Sequence, residues 1–412
     1  MTILSDKKRF KSAIKQIAPG FVAAYRSRKV KRQFGAEYWR KHLEQTFDTA
    51  GQLDAVAYPD TRPKKYGEQK KKLTSAQVEI NNTCNIDCLM CKTSLSTRQK
   101  GKMKEDILEL TFEKLAKAGI TDICLHTIGD PLMNPQLGKV FEECRKWGIS
   151  APISTNGLLL HRHVDTLIKY MDVSPSIRFS IDGATKETYE KVRFGGKWET
   201  LLENLEIAKK LRKNKGFSLS TVMKVTRDNM GEVGLFIERF RDLVGAPERD
   251  MSFSVISSLS PDNAYFEKVN LFPNHTYKHL MCGQVAGEPF VVHINGDISV
   301  CCRDYQGELL VGNIREDSIE SITEKPLLKK MQKAHESGDV SEYHSCDTCF
   351  HIDSRINKVL NGVVVYLIYQ YPVESANFYQ RVVNEAVRIL QGSGNYKEQM
   401  IALMRSLPTN PL

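Results

Sequence analysis

The sequence predicts an α/β protein: a partial (β/α)6 TIM-like barrel, then a small C-terminal β-hairpin/helix domain rich in cysteine, with helical extensions at both ends. Three observations carry that prediction. Strand-type and helix-type apolar spacing alternate six times between about Ser75 and Ser258. Asn295-Gly296-Asp297 then marks a tight hairpin, because Asn-Gly tolerates positive φ. Beyond Phe350 the apolar residues recur at helical spacing, as at Val382, Ala386, Ile389 and Leu390.

Taken in order, residues 1–73 read as a basic, mostly helical extension, amphipathic near 34–47 and punctuated by a Pro/Gly linker from Pro59 to Gly67. The barrel is assigned to 74–260. Its strands are expected at Gln77–Ile80, Ile120–Thr127, Ala151–Thr155, Ile177–Ile181, Phe217–Val222 and Met251–Ser257. A helix with Phe112, Leu115 and Ala116 on one face stops at Gly119, and Leu137, Val140, Phe141 and Cys144 mark the next at i, i+3, i+4, i+7. Further helices are expected at Val164–Met171, Leu201–Leu211 and Val233–Leu243. A cysteine-bearing domain follows at 261–352, in which Phe290–Ile294 and Ile298–Cys302 flank the hairpin turn, and a helical tail occupies 353–412. Sites in such barrels lie at the C-terminal ends of the strands.

Composition narrows the setting. Of 412 residues, 41% are apolar and 26% charged, the balance of a globular protein with a sizeable core. No apolar run approaches the ~18 residues of a membrane span, and Met1–Lys8 lacks the apolar core of a signal peptide. A cytoplasmic location is expected, so the ten cysteines read as metal ligands rather than disulfides. The net charge of +10 gathers at Arg26–Arg32, Lys64–Lys65 and Lys70–Lys72. An anionic partner such as nucleic acid would suit those clusters, but no aromatic interleaving accompanies them, and a solvated leader is the better reading.

The chemistry is concentrated in Cys84-x3-Cys88-x2-Cys91, on the loop after the first strand. Three thiolates there can hold three corners of a cubane iron–sulfur cluster and leave the fourth iron open to a small molecule. Structural zinc would want a fourth protein ligand nearby. A second set follows the barrel: Cys282, Gly296 and Cys301 in the pattern C-x13-G-x4-C, then Cys346-x2-Cys349. Four thiolates can enclose one 4Fe–4S cluster, or serve a zinc ion. Cys302 is an alternative to Cys301, although the Gly-x4-Cys spacing favours Cys301. Cys124 and Cys144 fall at core positions and read as buried thiols.

With these residues on the page, the chain resembles the radical S-adenosylmethionine superfamily over roughly Ser75–Ser258. Gly129-Asp130-Pro131 is similar to the family's Gly-Glu-Pro turn, which meets the amino group of S-adenosylmethionine, although Ile128 replaces the first glycine and Asp130 the glutamate. The resemblance implies contacts to ribose or substrate at Ser154 and Asn156 after the third strand. It implies contacts to ribose or carboxylate at Ser180 and Arg193, with Asp182 in the same cofactor-binding motif after the fourth; Met90 would pack on the adenine. It further implies that the open iron chelates S-adenosylmethionine, whose reductive cleavage yields a 5′-deoxyadenosyl radical. A reducing partner such as flavodoxin or ferredoxin would supply the electron. The second cysteine set resembles the twitch domain, a shortened form of the SPASM auxiliary-cluster region, and no cysteine follows Cys349, so one auxiliary 4Fe–4S cluster is expected.

A fully ligated auxiliary cluster suits electron transfer, and the cysteine layout looks like that of a twitch-type dehydrogenase acting on an aminocyclitol. The first expectation is therefore an oxidoreductase removing hydrogen from a small, sugar-like or alcohol substrate. Peptide or protein maturation, by crosslinking or side-chain oxidation, is the second. RNA or nucleotide modification, motivated only by the basic extension, is the third. A non-enzymatic iron–sulfur scaffold sits poorly with three intact cysteines in the first loop. No catalytic base stands out.

Overall fold

The computed structural model describes residues 36–54, 75–91, 93–256, 264–278, 282, 284–286, 290–372 and 374–408. The basic clusters at 26–32, 64–65 and 70–72, and the 59–67 linker, lie outside the described residues. The chain runs through α1 (Ala36–Asp54), β1 (Ser75–Val78), α2 (Glu105–Lys117), β2 (Asp122–Cys124), α3 (Leu137–Trp147), β3 (Ile153–Thr155) and α4 (Val164–Lys169). It continues with β4 (Ser176–Ser180), α5 (Lys186–Val192), α6 (Trp198–Lys215), β5 (Ser218–Val225), α7 (Val233–Phe240), α8 (Pro247–Asp250) and β6 (Met251–Val255).

Strands β1 and β2 pair in parallel, as do β3, β4, β5 and β6 in that order. A parallel bridge between Asp122 and Ser150 joins the two groups, with Ile123 N–H donating to the Ser150 carbonyl at 2.9 Å. The six barrel strands thus form one curved, open wall in sequence order. Alternation along each strand decides which side chain faces where. Ile177, Phe179, Leu219, Met223 and Phe253 point outward and are buried beneath the helices, each worth about 1.5–3 kcal/mol of burial. The residues that alternate with them are mostly serines, Ser176 and Ser180 on β4, Ser218 and Ser220 on β5, Ser252 and Ser254 on β6, joined by Arg178, Val222 and Lys224. Serines on the inner face leave room, so the lumen is a chamber rather than a packed core.

Then follow α9 (Ala264–Val269), β7 (Thr276–Lys278), β8 (Phe290–Val292), β9 (Asp297–Ser299), β10 (Leu310–Asn313), α10 (Ile319–Ile322), α11 (Pro326–Ser337), α12 (His344–Asp347) and β11 (Phe350–Ile352). The tail comprises α13 (Ser354–Gln370), α14 (Ala376–Gln391) and α15 (Tyr396–Arg405). The β8–β9 hairpin turns at Gly296, whose φ of 90° and whose approach to Ile314 exclude a side chain. Its strand β8 pairs in parallel with β1, so the hairpin extends the barrel wall into a sheet ordered β10-β9-β8-β1-β2. No local pattern announces that pairing, because it joins segments more than 200 residues apart.

The free edge of β6 is covered by α13: Asn357 and Asn361, one helical turn apart, accept from the backbone amides of Val255 and Phe253 at 2.6 and 3.1 Å. Helix α1 packs on the tail, its Trp39 ring stacked on Tyr369 at 4.6 Å and Asp54 accepting from the Tyr396 amide. Among the described residues no helix is long and apolar enough to cross a membrane. Strand β2 is shorter than the expected 120–127, because after Cys124 the chain leaves the ladder to build the site.

Candidate active site

The first cysteine loop is held at both ends. Asn81 and Asn82 are buried; Asn81 donates to the Thr83 and Asp130 carbonyls, and Asn82 bridges Gln99 and Gly101. On the far side, the amides of Asp87 and Leu89 donate to Phe194 and Val192, and Cys91 N–H closes a turn onto Cys88. The three thiols feel one another's charge. Each has its own polar partner: Asn156 Nδ2 lies 3.6 Å from Cys84 Sγ, Arg193 Nη1 3.6 Å from Cys88 Sγ, and Thr93 Oγ1 3.1 Å from Cys91 Sγ. Burial pushes Cys84 up to about 11 and Cys88 up to about 12, Arg193 pulling the latter back in part. Metal-free, Cys84 and Cys88 hold their protons, and iron must displace them. Among the described residues no His, Cys, Asp or Glu group closes on a point seating a single ion. Three thiols, two met by N–H donors and the third by a hydroxyl, suit the anionic corners of a cluster.

The turn after β2 lies against this loop. Gly129 has φ 85°, and a Cβ there would meet the Thr83 carbonyl at 2.8 Å and that of Asn81 at 2.9 Å, so only glycine permits the contact. Asp130 turns its carboxylate inward, accepting from the Leu132 and Asn156 amides and the Thr155 hydroxyl; burial raises its pKa. Its side chain is thus committed to shaping the turn, which leaves backbone as what this turn can offer a ligand; Pro131 itself is buried. Ser154 and Ser180 face the chamber at the ends of β3 and β4. Asp182 is fully buried and pairs with Arg193 Nη2 at 2.6 Å while accepting from the Lys224 amide. Asp182 thereby fixes the guanidinium that reaches Cys88. Met90 is half-buried on the loop beside the same core.

Of the second set, Cys346 feels the charge of Cys282 and Cys349, Cys282 feels that of Cys349, and Cys301 feels that of Cys282. Arg303 donates from its amide to Cys301 Sγ at 3.4 Å and from Nη1 to Cys349 Sγ at 3.7 Å. Cys302 lies instead against Gln77 of β1 and towards Cys124 and His126, and is also charge-coupled to Cys349. The Cys301–Cys302 hydrogen bond raises the first thiol and lowers the second. Cys144 is a core thiol as expected, fully buried in α3. Cys124 is not: it is only partly buried on the inner face of β2, 3.3 Å from His126 Nδ1. The alternation of β2 puts Ile123, not Cys124, in the apolar layer.

Sequence reasoning missed the groups that join the two sets. Glu79, at the end of β1, receives both Arg98 amino groups at 2.8 Å and the Thr127 hydroxyl at 2.7 Å. Arg98 also donates to the Tyr305 carbonyl and faces His293 Nδ1 at 3.0 Å. One buried carboxylate thus ties the first cysteine loop, β2 and the hairpin domain together. A lone acidic residue at the end of an otherwise uncharged strand was the available signal. Lys224, lumen-facing near the end of β5, was missed too.

An open parallel barrel with three thiols after its first strand and a second cysteine set packed on its edge defines an S-adenosylmethionine radical enzyme with an auxiliary centre. Comparison with known families agrees. The Radical SAM superfamily matches residues 78–237, and the SPASM iron–sulfur cluster-binding domain matches 282–350. The chain belongs to the radical S-adenosylmethionine superfamily, and its cofactors are S-adenosylmethionine, a 4Fe–4S cluster and an auxiliary cluster. It is 23% identical over 298 residues to the antilisterial bacteriocin subtilosin biosynthesis protein AlbA of Bacillus subtilis, covering 66% of this chain and 64% of that one. It is 23% identical over 314 residues to the mycofactocin maturase MftC of Mycobacterium ulcerans, covering 67% and 80%. Among solved structures, Streptococcus suis SuiB bound to precursor peptide SuiA matches with a TM-score of 0.49 at 14% identity, over 74% of each chain. The chain thus spans somewhat under two thirds of AlbA.

Proposed function

We propose that the protein oxidises its substrate by radical hydrogen abstraction in the barrel chamber, with Cys84, Cys88 and Cys91 holding the adenosylmethionine cluster and Cys282, Cys301, Cys346 and Cys349 holding one auxiliary 4Fe–4S cluster. The observation that supports this most is electrostatic. Lys224 feels both Arg193, which donates to Cys88, and Arg303, which donates to Cys349. That shared neighbour supports reading the two cysteine sets as bordering one chamber. When bound, the first cluster and S-adenosylmethionine supply a 5′-deoxyadenosyl radical, and the auxiliary cluster an electron acceptor.

The chain's own residues bind and orient. Met90, the Gly129–Pro131 backbone, Ser154, Asn156, Ser180 and the Asp182–Arg193 pair line the adenosylmethionine end. The substrate gives up a hydrogen atom, a proton and an electron, so the product has two hydrogens fewer. Cys124 and His126 form a hydrogen-bonded pair beside Cys302 and are a candidate proton acceptor. A polar chamber suits the sugar-like or alcohol substrate expected from sequence. A second reading, peptide maturation, is favoured by the relatives, since AlbA is described as a bacteriocin biosynthesis protein and MftC as a maturase.

The test is anaerobic turnover with deuterated candidates, small alcohols in one series and peptides in the other. Deuterium arriving in 5′-deoxyadenosine with a product short of two hydrogens supports oxidation. A product of unchanged mass makes the chemistry redox-neutral and overturns it.

A further inference from the structure

The inner face of β4 and β5 carries two cations that no part of the site uses. Arg178 projects two positions before Ser180, opposite Ser220 in register, and Lys224 lies above it beside β6, its Nζ 2.8 Å from Ser254 Oγ. Both side chains are exposed to the chamber. They share that face two positions apart in the ladder, with Ser180 and Val222 between their levels; burial lowers the Lys224 pKa, Asp182 opposes that, and Arg303, Arg178 and Arg193 lower it further.

The counterions nearby are already engaged. Glu79 holds Arg98, Asp182 holds Arg193, and Asp130 is bound by amides and Thr155. Arg193 and Arg303 point at cysteine sulfurs and suit the charge of the clusters there. Arg178 and Lys224 have no hydrogen bond to a cysteine and no ion pair among the described residues. Like charges sharing one polar face are costly unless an anion completes them. The serines around them leave it room.

We propose that the substrate carries an anionic group, carboxylate or phosphate, seated by Lys224 and Arg178 on the chamber wall between the two cysteine sets. The inference rests on the chamber being the substrate site, as proposed above. Such a site positions the reacting carbon by a handle remote from it, and it disfavours a cationic aminocyclitol.

The test titrates the reconstituted, adenosylmethionine-loaded protein with succinate, inorganic phosphate and neutral glycerol at fixed ionic strength, by calorimetry. At least one anion should saturate the wild type and glycerol should not; which anion binds separates carboxylate from phosphate. Lys224→Gln and Arg178→Gln should each weaken that anion about tenfold or more, and Lys224→Arg should retain it. Failure of both anions to saturate, or equal binding in the Gln variants, overturns the proposal. A fall in adenosylmethionine affinity equal to that for the anion also overturns it, because Lys224 would then serve the cofactor. Formation of 5′-deoxyadenosine by the wild type is scored separately. Its absence would overturn the functional reading while the titrations still decide the anion site.

Discussion

Replacing Glu79 with glutamine should unfasten the joint between the barrel and the auxiliary domain. The carboxylate is wholly buried and Arg98 nearly so, with side chains 0% and 16% exposed. Burial alone would raise the Glu79 pKa, but hydrogen bonds from His293 and Arg98 overcome it and hold it at about 2, against an ordinary 4.5. That shift converts to on the order of 3 kcal/mol. Breaking a buried pair by removing one partner gives a similar figure, about 3–5 kcal/mol. Because the folded value lies below the unfolded one, the stabilisation is full above pH 4.5 and is lost as the pH falls through about 2. Urea unfolding of the metal-free protein should show Glu79→Gln less stable by about 3 kcal/mol at pH 7, with the gap narrowing by pH 3. A cycle with Arg98→Met should return a coupling of more than about 1 kcal/mol. A cost below about 1 kcal/mol at pH 7, or one equal at both pH values, would refute the reasoning.

Other expectations follow from the same geometry. Gly129→Ala forces a side chain into a positive-φ position against the Thr83 carbonyl, and should cost more than about 1–2 kcal/mol by thermal unfolding. Arg193→Met strands the buried Asp182 and should destabilise by about 3–5 kcal/mol, with Arg193→Lys recovering part of that in the same denaturation assay. Cys301→Ser should lose about four irons per chain on reconstitution, whereas Cys302→Ser should keep them, as read by iron and sulfide analysis.

What was legible in the sequence is what repeats or clusters locally. The β/α alternation declares itself because each strand buries its outer residues under a helix, and the cysteine motifs because their ligands sit a few residues apart. Asn295-Gly296 announces its turn through backbone sterics alone. The β1–β8 pairing and the Glu79–Arg98–Tyr305 joint are different. Their partners are remote in sequence, and a single glutamate or arginine looks the same whether solvated or paired. Cys124 was misjudged because a strand of three residues alternates too briefly to reveal which face is which. Lys224 sat in an amphipathic strand whose polar face reads as solvent-facing, although it lines a chamber.

The most direct test of the central claim is iron and sulfide content, with Mössbauer typing, of anaerobically reconstituted protein beside a Cys84→Ala/Cys88→Ala/Cys91→Ala variant. Two 4Fe–4S clusters predict about eight irons in the wild type and about four in the variant. About four irons falling to near zero would contradict the account, leaving the second cysteine set without an iron cluster and the oxidation without its electron acceptor.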